Sequence, residues 1–233
     1  MKAVIIAAGS GIRLRPLTLT KPKPLIEIAG RPIIDRIVSA LPSEIDELVV
    51  VVGYLGDQLI NHCGRNFFGR QVTYVWQKEQ LGTGDALLTC RTQLGKEKFL
   101  VLNGDDLLGG EGLRRCLRYD FCLLVSQHAE PSRFGVVILN EDGSLREIIE
   151  KPVRPAGNLV STGVWLFDER IFEEKYRPDR EPNGQYYLTN MASKLTRNHK
   201  INIEEADFWQ PITTPADLPL AEAACVKIKA VIA

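Results

Sequence analysis

The chain has 233 residues, of which 45% are hydrophobic, so it is long enough to enclose a full hydrophobic core. Its 29 basic residues balance its 29 acidic residues, which excludes a global electrostatic field that would recruit nucleic acid or an anionic membrane. The five cysteines are odd in number and form no Cys-x-x-Cys pair, so reduced, buried thiols are expected rather than a disulfide framework or a zinc site.

Short β-branched runs alternate with helical patterns through the first half of the chain. Strands are predicted at residues 4–7, 47–52, 72–76 and 99–102, and helices at residues 32–40, 57–63 and 84–94. This alternation is typical of an α/β fold with a doubly wound, mostly parallel central sheet and helices on both faces. In such sheets ligands bind beyond the carboxyl ends of the strands, where three loops of this chain begin.

After residue 120 the pattern changes to closely spaced strands. Strands are predicted at residues 122–128, 135–139, 145–150 and 162–167, and helices at residues 168–176, 187–197 and 215–226. Residues 141–143 read Glu-Asp-Gly, which is a hairpin signal between two of these strands. We therefore expect one domain over residues 1–233 with a smaller, β-rich part in its second half.

The first loop, within residues 3–25, is the most informative stretch. A short apolar strand leads into Gly9 and Gly11, which allow a sharp turn and a close approach of backbone N–H groups to an anion. Four cationic side chains follow the glycines and are expected to reach the same polyphosphate: Arg13, Arg15, Lys21 and Lys23. Guanidinium and ammonium groups both bind phosphate, so a polyphosphate site is predicted, although the Rossmann and P-loop fingerprints are absent. An isolated Gly-x-Gly would more simply be a turn with solvated charges.

The second loop, at residues 77–86, joins a predicted strand to a predicted helix. Gly82 and Gly84 permit a close approach of the backbone, and Thr83 is a candidate cap for the helix. Gln77 offers both a donor and an acceptor to the edge of a base. An ordinary helix cap is the alternative interpretation.

The third loop, at residues 103–106, ends an apolar strand with two adjacent carboxylates, Asp105 and Asp106. Carboxylates at such a position suit a Mg²⁺ ion that takes its other ligands from water and substrate phosphates. A turn formed by Asn-Gly-Asp is the simpler alternative.

The three loops resemble the motifs of the nucleotidyltransferases that act on sugar 1-phosphates, the nucleoside-diphosphate-sugar pyrophosphorylases. Residues 8–14 read Ala-Gly-Ser-Gly-Ile-Arg-Leu, residues 16–18 read Pro-Leu-Thr and residues 22–25 read Pro-Lys-Pro-Leu, as in the N-terminal signature of that family. The Gln-x-x-x-Leu-Gly-Thr-Gly form at residues 77–84 is most similar to enzymes that use UTP, the glucose-1-phosphate and N-acetylglucosamine-1-phosphate uridylyltransferases. The acetyltransferase domain that some of these enzymes carry is not expected here.

The resemblance implies a Mg²⁺-dependent transfer of a nucleotidyl group, favouring uridylyl, from a nucleoside triphosphate to a sugar 1-phosphate. Residues 1–120 would form the nucleotide-binding half, and residues 121–233 the sugar-phosphate-binding half. The implied catalytic residues are Arg13, Lys23 and Asp105, with Asp105 as the metal ligand. The implied nucleotide-binding residues are Ala8, Gly9, Ser10, Gly11, Gln77, Gly82 and Thr83. The implied sugar-phosphate-binding residues are Gly135, Glu150, Lys151 and Thr162.

Three acidic residues that the resemblance leads us to expect are replaced. Residues 185–190 read Gln-Tyr-Tyr-Leu-Thr-Asn where the family has Glu-x-x-Leu-Thr-Asp. Residues 209–214 read Trp-Gln-Pro-Ile-Thr-Thr where the family has Trp-x-Asp-x-Gly-Thr, whose Asp is the second metal ligand. With Pro211 at that position, either Asp105 binds the metal with water and phosphates, or Asp106 or Asp207 substitutes, or catalysis is impaired.

Two alternatives to a uridylyltransferase follow. One is a catalytically impaired regulatory protein that binds a sugar nucleotide. The other is an enzyme that transfers a thymidylyl or cytidylyl group to another phosphorylated acceptor. Phosphocholine cytidylyltransferases are an example of the cytidylyl case. The expected partners are a nucleoside triphosphate, with UTP favoured, and a sugar 1-phosphate, without nucleic acid or membrane. The oligomeric state, including a homo-oligomer, stays open. No apolar run reaches the roughly 20 residues of a membrane span and the N-terminal run is too short for a signal peptide, so a cytoplasmic protein is expected.

Overall fold

A computed structural model describes the backbone of residues 1–232 and the side chains of residues 1–226. The strands are β1 (Lys2–Ile6), β2 (Glu27–Ile28), β3 (Arg31–Pro32), β4 (Glu47–Val52), β5 (Asn66–Phe67), β6 (Arg70–Trp76), β7 (Phe99–Asn103), β8 (Leu107–Leu108), β9 (Cys122–Gln127), β10 (Gly135–Leu139), β11 (Leu145–Glu150), β12 (Leu159–Phe167), β13 (Asn202–Glu205) and β14 (Trp209–Gln210). The helices are α1 (Ile33–Ala40), α2 (Gly56–Cys63), α3 (Thr83–Thr89), α4 (Arg91–Leu94), α5 (Gly110–Cys116), α6 (Leu188–Leu195) and α7 (Asp217–Ile232).

The central sheet has ten strands and continues across residue 120. Strands β7, β1, β4 and β6 are parallel neighbours, as the alternating pattern of the first half predicts. Strand β12 joins β7 in antiparallel orientation and extends the sheet to β10, β11 and β9, while β13 pairs parallel with β9. Two ribbons of two strands each, β2 with β3 and β8 with β14, lie outside this sheet. The β-rich second half is therefore a continuation of the sheet that the first half forms.

Both faces of the sheet are covered, because successive side chains of a strand point to opposite faces. In β1, Ile5 belongs to a hydrophobic cluster with residues of α1, α2, α5 and α7, whereas Val4 belongs to a cluster with residues of α3, α4 and α6. Both side chains are fully buried, and such burial stabilises the fold by about 1.5–3 kcal/mol for each side chain. All five cysteines are buried. Among the described helices, none is long and apolar enough to span a bilayer.

Two predicted helices differ in the structure. The helix expected at residues 168–176 is wrong: two 3-10 helices, Glu169–Phe172 and Glu174–Tyr176, take its place. The Asp168 carboxylate accepts the N–H of Arg170, and the extended backbone of Glu173 separates the two turns. The helix expected at residues 84–94 is divided at Cys90 into α3 and α4.

Helix α5 was not expected, because glycine has a low helix propensity and this segment contains two of them. In the structure Gly112 lets α5 pack closely on the sheet, since a Cβ atom there would lie 2.9 Å from Cδ1 of Leu124. The Gly112 N–H also donates to the Asp207 carboxylate at 2.6 Å. Packing and a side-chain acceptor thus override the local preference.

Candidate active site

A cleft of about 480 Å³ opens where β1 and β7 end and extends along β10, β11 and β12. This is the position at which parallel α/β sheets bind ligands, because the loops that follow the strands meet there. The three predicted catalytic residues and the four predicted sugar-phosphate residues line the cleft. Four of the predicted nucleotide-binding residues also line it: Gly9, Ser10, Gly11 and Thr83. The two halves of the chain therefore contribute to one site.

The first glycine loop has a fixed shape. Gly11 has a left-handed backbone (φ +59°), and a Cβ atom there would lie 2.8 Å from Cγ2 of Thr18. The Thr18 hydroxyl donates to the Gly11 carbonyl at 2.8 Å, which fastens the loop to the segment that follows it. Gly9 and Ser10 lie at the cleft, whereas the side chain of Ala8 is buried in the core beneath them.

Only two of the four cations after this loop reach the cleft. Arg13 is exposed at its wall, and Lys23 lies within it with a side chain that is only 10% exposed. Arg15 and Lys21 do not line the cleft, and the Lys21 ammonium lies 3.5 Å from the carboxylate of Glu27 at the surface. The expectation that all four cations face one polyphosphate is therefore wrong for Arg15 and Lys21.

An ion pair connects the first and third loops at the cleft. Nζ of Lys23 lies 2.6 Å from Oδ2 of Asp105, whose side chain is 38% exposed. Asp105 reaches this place because the N–H of Gly104 donates to the Ile6 carbonyl at 2.8 Å, which holds the loop after β7 beside the loop after β1. A buried ammonium needs a partner of opposite charge, so each group fixes the position of the other.

The two other acids considered as metal ligands have different surroundings. Asp106 is buried, and its carboxylate accepts the indole N–H of Trp209 at 3.1 Å and the N–H of Ile212 at 3.3 Å. Burial raises the pKa of Asp106, and the negative charge of Asp105 raises this pKa further. Asp207 does not line the cleft, and its carboxylate accepts the N–H of Gly112 in α5 at 2.6 Å, so this position does not favour the alternative that Asp207 substitutes as a metal ligand.

Hydrogen bonds from a buried side chain hold the second loop in its shape. The Gln77 side chain is 5% exposed and does not line the cleft; its amide donates to the Gly82 carbonyl at 3.0 Å and to the Asp85 carboxylate at 2.8 Å. Gly82 also lies outside the lining, and its φ of +103° is in a region that favours glycine. In this structure Gln77 and Gly82 thus shape the loop, and their contact with a base remains a prediction.

A segment from the second half crosses this loop. The Thr83 hydroxyl accepts the N–H of Leu188 at 3.0 Å, so the expectation that Thr83 caps helix α3 is wrong: the residue at the N-cap is Gly82. The N–H of Gly84 donates to the carbonyl of Tyr186 at 2.8 Å. We call residues 185–189 the bridging segment, because it is bound to the second loop and also lines the cleft.

The bridging segment continues to the predicted sugar side. The Thr189 hydroxyl donates to Oε1 of Glu150 at 2.9 Å, and a Cβ atom at Gly135 would lie 3.3 Å from the same oxygen. The Glu150 carboxylate is therefore held between β10 and α6. A carboxylate accepts several hydrogen bonds, so it retains capacity for the hydroxyl groups of a ligand.

The other two predicted sugar-phosphate residues differ in what their side chains do. Lys151 lines the cleft and has a left-handed backbone (φ +43°), which is uncommon for a residue with a side chain and shows a constrained turn. Thr162 is buried, and its hydroxyl donates to the carbonyl of Leu124 at 2.8 Å. Thr162 therefore lines the cleft, but its hydroxyl is already bound to the backbone of the neighbouring strand β9.

Sequence reasoning did not select several lining side chains. These are Arg133, Trp165, Tyr187, Thr189 and Trp209. Thr189 and Trp209 lie in the two segments that depart from the family pattern, and those departures were the only signal available for them. Arg133 pairs locally with Glu130 at 3.0 Å, but its buried partner, Asp217, lies 84 residues further along the chain and gives no local signal.

Asp217, at the start of α7, joins two parts of the cleft wall, Arg133 and Thr213. Its buried carboxylate accepts the N–H groups of Thr213 at 2.8 Å and Thr214 at 2.7 Å, and both of its oxygens accept from Arg133 at 3.0–3.1 Å. Burial alone would raise the pKa of Asp217, but the hydrogen bonds from these donors outweigh burial, and the pKa is lowered. The first residue of α7 is thus fastened to the loop that precedes β10.

Fold and site together define an α/β protein with a cleft between a glycine loop and an antiparallel extension of its sheet. Comparison with known proteins then places it: the family model described as nucleotidyl transferase matches residues 2–226, so the chain belongs to the nucleotidyl transferase family.

Relatives of known name agree with this family. The chain is 33% identical over 219 residues to the bifunctional protein GlmU of Methanocaldococcus jannaschii, covering 94% of this chain but only 52% of that protein. It is 36% identical to the UTP–glucose-1-phosphate uridylyltransferase AglF of Haloferax volcanii, covering 95% of each chain. A Bacillus anthracis structure described as a glucose-1-phosphate thymidylyltransferase with bound sucrose superimposes with a TM-score of 0.84 at 26% identity, covering 96% of this chain and 94% of the other. The predicted fold class and the predicted family of sugar-1-phosphate nucleotidyltransferases are confirmed.

Proposed function

We propose that this chain transfers a nucleotidyl group from a nucleoside triphosphate to a sugar 1-phosphate, giving a nucleoside-diphosphate sugar and pyrophosphate. The observation that carries the proposal is the Lys23–Asp105 ion pair in a cleft lined by the glycine loop on one side and by Glu150 and Lys151 on the other. A polyphosphate and a phosphorylated sugar both need cationic groups in such a cleft, together with a carboxylate for hydroxyl groups.

Among nucleotides, we propose UTP. The form of the second loop supports this choice, and a relative that matches 95% of the chain is named for UTP and glucose 1-phosphate. The structural neighbour is named for thymidylyl transfer, so dTTP is the second candidate. We also propose that residues 1–120 bind the nucleotide and residues 121–233 the sugar phosphate.

The proposed reaction requires no protein nucleophile or general base, because the attacking phosphate oxygen is already ionised. That oxygen forms a bond to the α-phosphorus in line with the bond that breaks, and the leaving group is pyrophosphate. Lys23 bridges the α-phosphate and the incoming phosphate, and Arg13 stabilises the charge that develops on the leaving group. Positioning of the substrates and neutralisation of their charge therefore supply most of the rate enhancement.

Nucleotidyltransferases of this kind generally use a divalent metal, and we propose Mg²⁺. The donor set fits a Mg²⁺ ion that keeps most of its water, because Asp105 offers a partly exposed carboxylate beside the proposed phosphate site. Such an ion, when bound, neutralises charge on the phosphate oxygens. With Asp106 engaged by the backbone and an indole, Asp105 is the residue that would hold it.

A pyrophosphate-release screen tests the function. UTP, dTTP, CTP and GTP are each combined with glucose, N-acetylglucosamine, galactose and mannose 1-phosphates in the presence of Mg²⁺. We expect release above background with UTP, at least about tenfold faster than with GTP, since a site built for a pyrimidine edge leaves polar groups unpaired against a purine. Binding of UDP-sugars by calorimetry without release for any pair would favour the regulatory alternative, which the proline at position 211 motivates.

Gly82 provides a test of the proposed nucleotide loop. A Cβ atom at Gly82 would lie 2.5 Å from the carbonyl oxygen of Tyr186, so Gly82→Ala must displace the loop or the bridging segment. We expect the KM for the nucleoside triphosphate to rise at least about fivefold, since strain of this kind costs about 1–3 kcal/mol. Gly143→Ala is the matched control, because Gly143 also has a positive φ (+77°) but has open space around it. Equal KM values for the two variants would contradict the assignment.

A further inference from the structure

Asp106 lies opposite the position at which the family resemblance leads us to expect a second metal-binding acid. In the ribbon formed by β8 and β14, Gln210 is paired with Leu107. The next position in this antiparallel register brings Pro211 opposite Asp106. Proline has neither a carboxylate nor a backbone N–H, so it can neither bind a metal through its side chain nor donate to the carboxylate across from it.

The Asp106 carboxylate is instead bound to the residues on either side of Pro211. One oxygen accepts the indole N–H of Trp209 at 3.1 Å, and the other accepts the N–H of Ile212 at 3.3 Å. Asp106 is 8% exposed, whereas the side chain of Asp105 is 38% exposed and bound to Lys23. Both residues line the cleft, but their carboxylates have different partners: Asp106 is bound to Trp209 and Ile212, and Asp105 is bound to Lys23.

Trp209 extends the effect of Asp106 to the sugar side. The Trp209 ring packs edge-on against Phe134 with centroids 5.1 Å apart, and both residues line the cleft. Phe134 directly precedes Gly135, and its carbonyl accepts the N–H of Lys151 at 3.0 Å. A change at Asp106 that releases Trp209 would therefore move the loop that carries the proposed sugar-phosphate residues.

We propose that Asp106 is a positioning residue that holds Trp209 against the proposed sugar-phosphate site and does not contact the divalent cation that Asp105 is proposed to hold. A cation held by one carboxylate must complete its coordination with water and substrate phosphates. The free protein should therefore bind Mn²⁺ weakly, with the cation entering together with the nucleotide. The test that measures the KM for a sugar 1-phosphate rests on the proposed function, whereas the position of Trp209 can be measured without any substrate.

The metal is tested with the isosteric pair Asp105→Asn and Asp106→Asn. The affinity for α,β-imido-UTP is measured by calorimetry with Mn²⁺ and with EDTA, and Mn²⁺ alone is titrated into the free protein by electron paramagnetic resonance. We expect Asp105→Asn to reduce the Mn²⁺-dependent gain in nucleotide affinity at least about tenfold, while Asp106→Asn changes it less than about threefold. A similar loss in both variants, or tight binding of Mn²⁺ by the free protein, would overturn the inference.

The position of Trp209 is tested by the exchange of its indole N–H with water. The chain has three tryptophans, so the indole resonance of Trp209 is assigned in a ¹H–¹⁵N spectrum with Trp209→Phe. We expect Asp106→Ala to accelerate this exchange at least about tenfold, and Asp105→Asn to leave it unchanged. Unchanged exchange in Asp106→Ala would show that Asp106 does not hold the indole.

Kinetics separate positioning from catalysis. Asp106→Asn is expected to raise the KM for the sugar 1-phosphate about fivefold or more while kcat falls less than about threefold, whereas Asp105→Asn lowers kcat. A fall in kcat that is equal in both variants would make Asp106 a catalytic group and refute the proposal. If the wild-type chain binds no nucleotide analogue at all, the proposed function fails, and the indole exchange still decides the role of Asp106.

Discussion

Replacing Lys23 by alanine is expected to lower kcat/KM for nucleotidyl transfer by about 10²–10³-fold, the range found when one preorganised donor is removed from a site that stabilises developing negative charge. The Lys23 side chain is 10% exposed and lies 2.6 Å from Asp105. Its removal deletes a desolvated cation and also leaves the Asp105 carboxylate without its partner beside the incoming phosphates. Both effects disfavour the transition state.

The measurement is steady-state release of pyrophosphate with the best substrate pair. Lys21→Ala is the matched control: Lys21 is a cation two residues earlier in the chain, but it is exposed and lies 3.5 Å from Glu27 at the surface. We expect Lys21→Ala to change kcat/KM less than about threefold, since exposed ion pairs contribute little. Equal losses in the two variants would mean that general positive charge, and not the placement of Lys23, supports the reaction.

Replacing Asp217 by alanine is expected to lower the free energy of unfolding by about 3 kcal/mol, at the lower end of the cost of removing one partner from a buried ion pair. The Asp217 side chain is 5% exposed, whereas that of Arg133 is 28% exposed and also pairs with Glu130 at 3.0 Å, so Arg133 retains some hydration and one partner when Asp217 is lost. The N–H groups of Thr213 and Thr214 lose an acceptor in the same variant. Urea unfolding at neutral pH measures the difference.

The effect of Asp217 should depend on pH. Its pKa is lowered in the folded state, so the unfolded chain takes up this proton more readily. Its contribution is therefore fully present above the unfolded pKa of about 3.9 and is lost as the pH falls through the lower pKa of the folded state. The stability difference between the wild type and Asp217→Asn should shrink below about pH 4. A difference that stays constant into that range would contradict the assigned charge interaction.

The glycine loop and the parallel strands were predictable from the sequence, because both depend on local residue patterns. Apolar β-branched runs such as β1 and β4 have few alternatives to a buried strand, and Gly11 occupies the left-handed turn that its type favours. Helix α5 was missed because its packing on β9 and its bond to Asp207 come from distant parts of the chain. Helix propensity depends on the local residues alone, so it does not predict contacts with distant parts of the chain.

Within the site, the sequence indicated which types of residue are present better than it indicated which side chains reach the cleft. It did not distinguish Arg13 and Lys23, which reach the cleft, from Arg15 and Lys21, which do not, because the 3-10 turns Ile12–Leu14 and Lys23–Leu25 decide this. Asp217 was not selected because Arg133 lies 84 residues away. The partners of Asp106, Trp209 and Ile212, lie 103 and 106 residues further along the chain, so adjacency to Asp105 gave no sign of its separate environment.

The bridging segment limits how freely the two halves of this chain could be recombined with those of relatives. Residues 185–189 belong to the second half, yet they accept the N–H of Gly84 through Tyr186 and donate the N–H of Leu188 to Thr83. A chimera that joins residues 1–120 of this chain to the second half of another protein would have to reproduce this backbone pairing to keep the second loop in place. If the two halves bind nucleotide and sugar phosphate as proposed, their substrate preferences are better exchanged together than one half at a time.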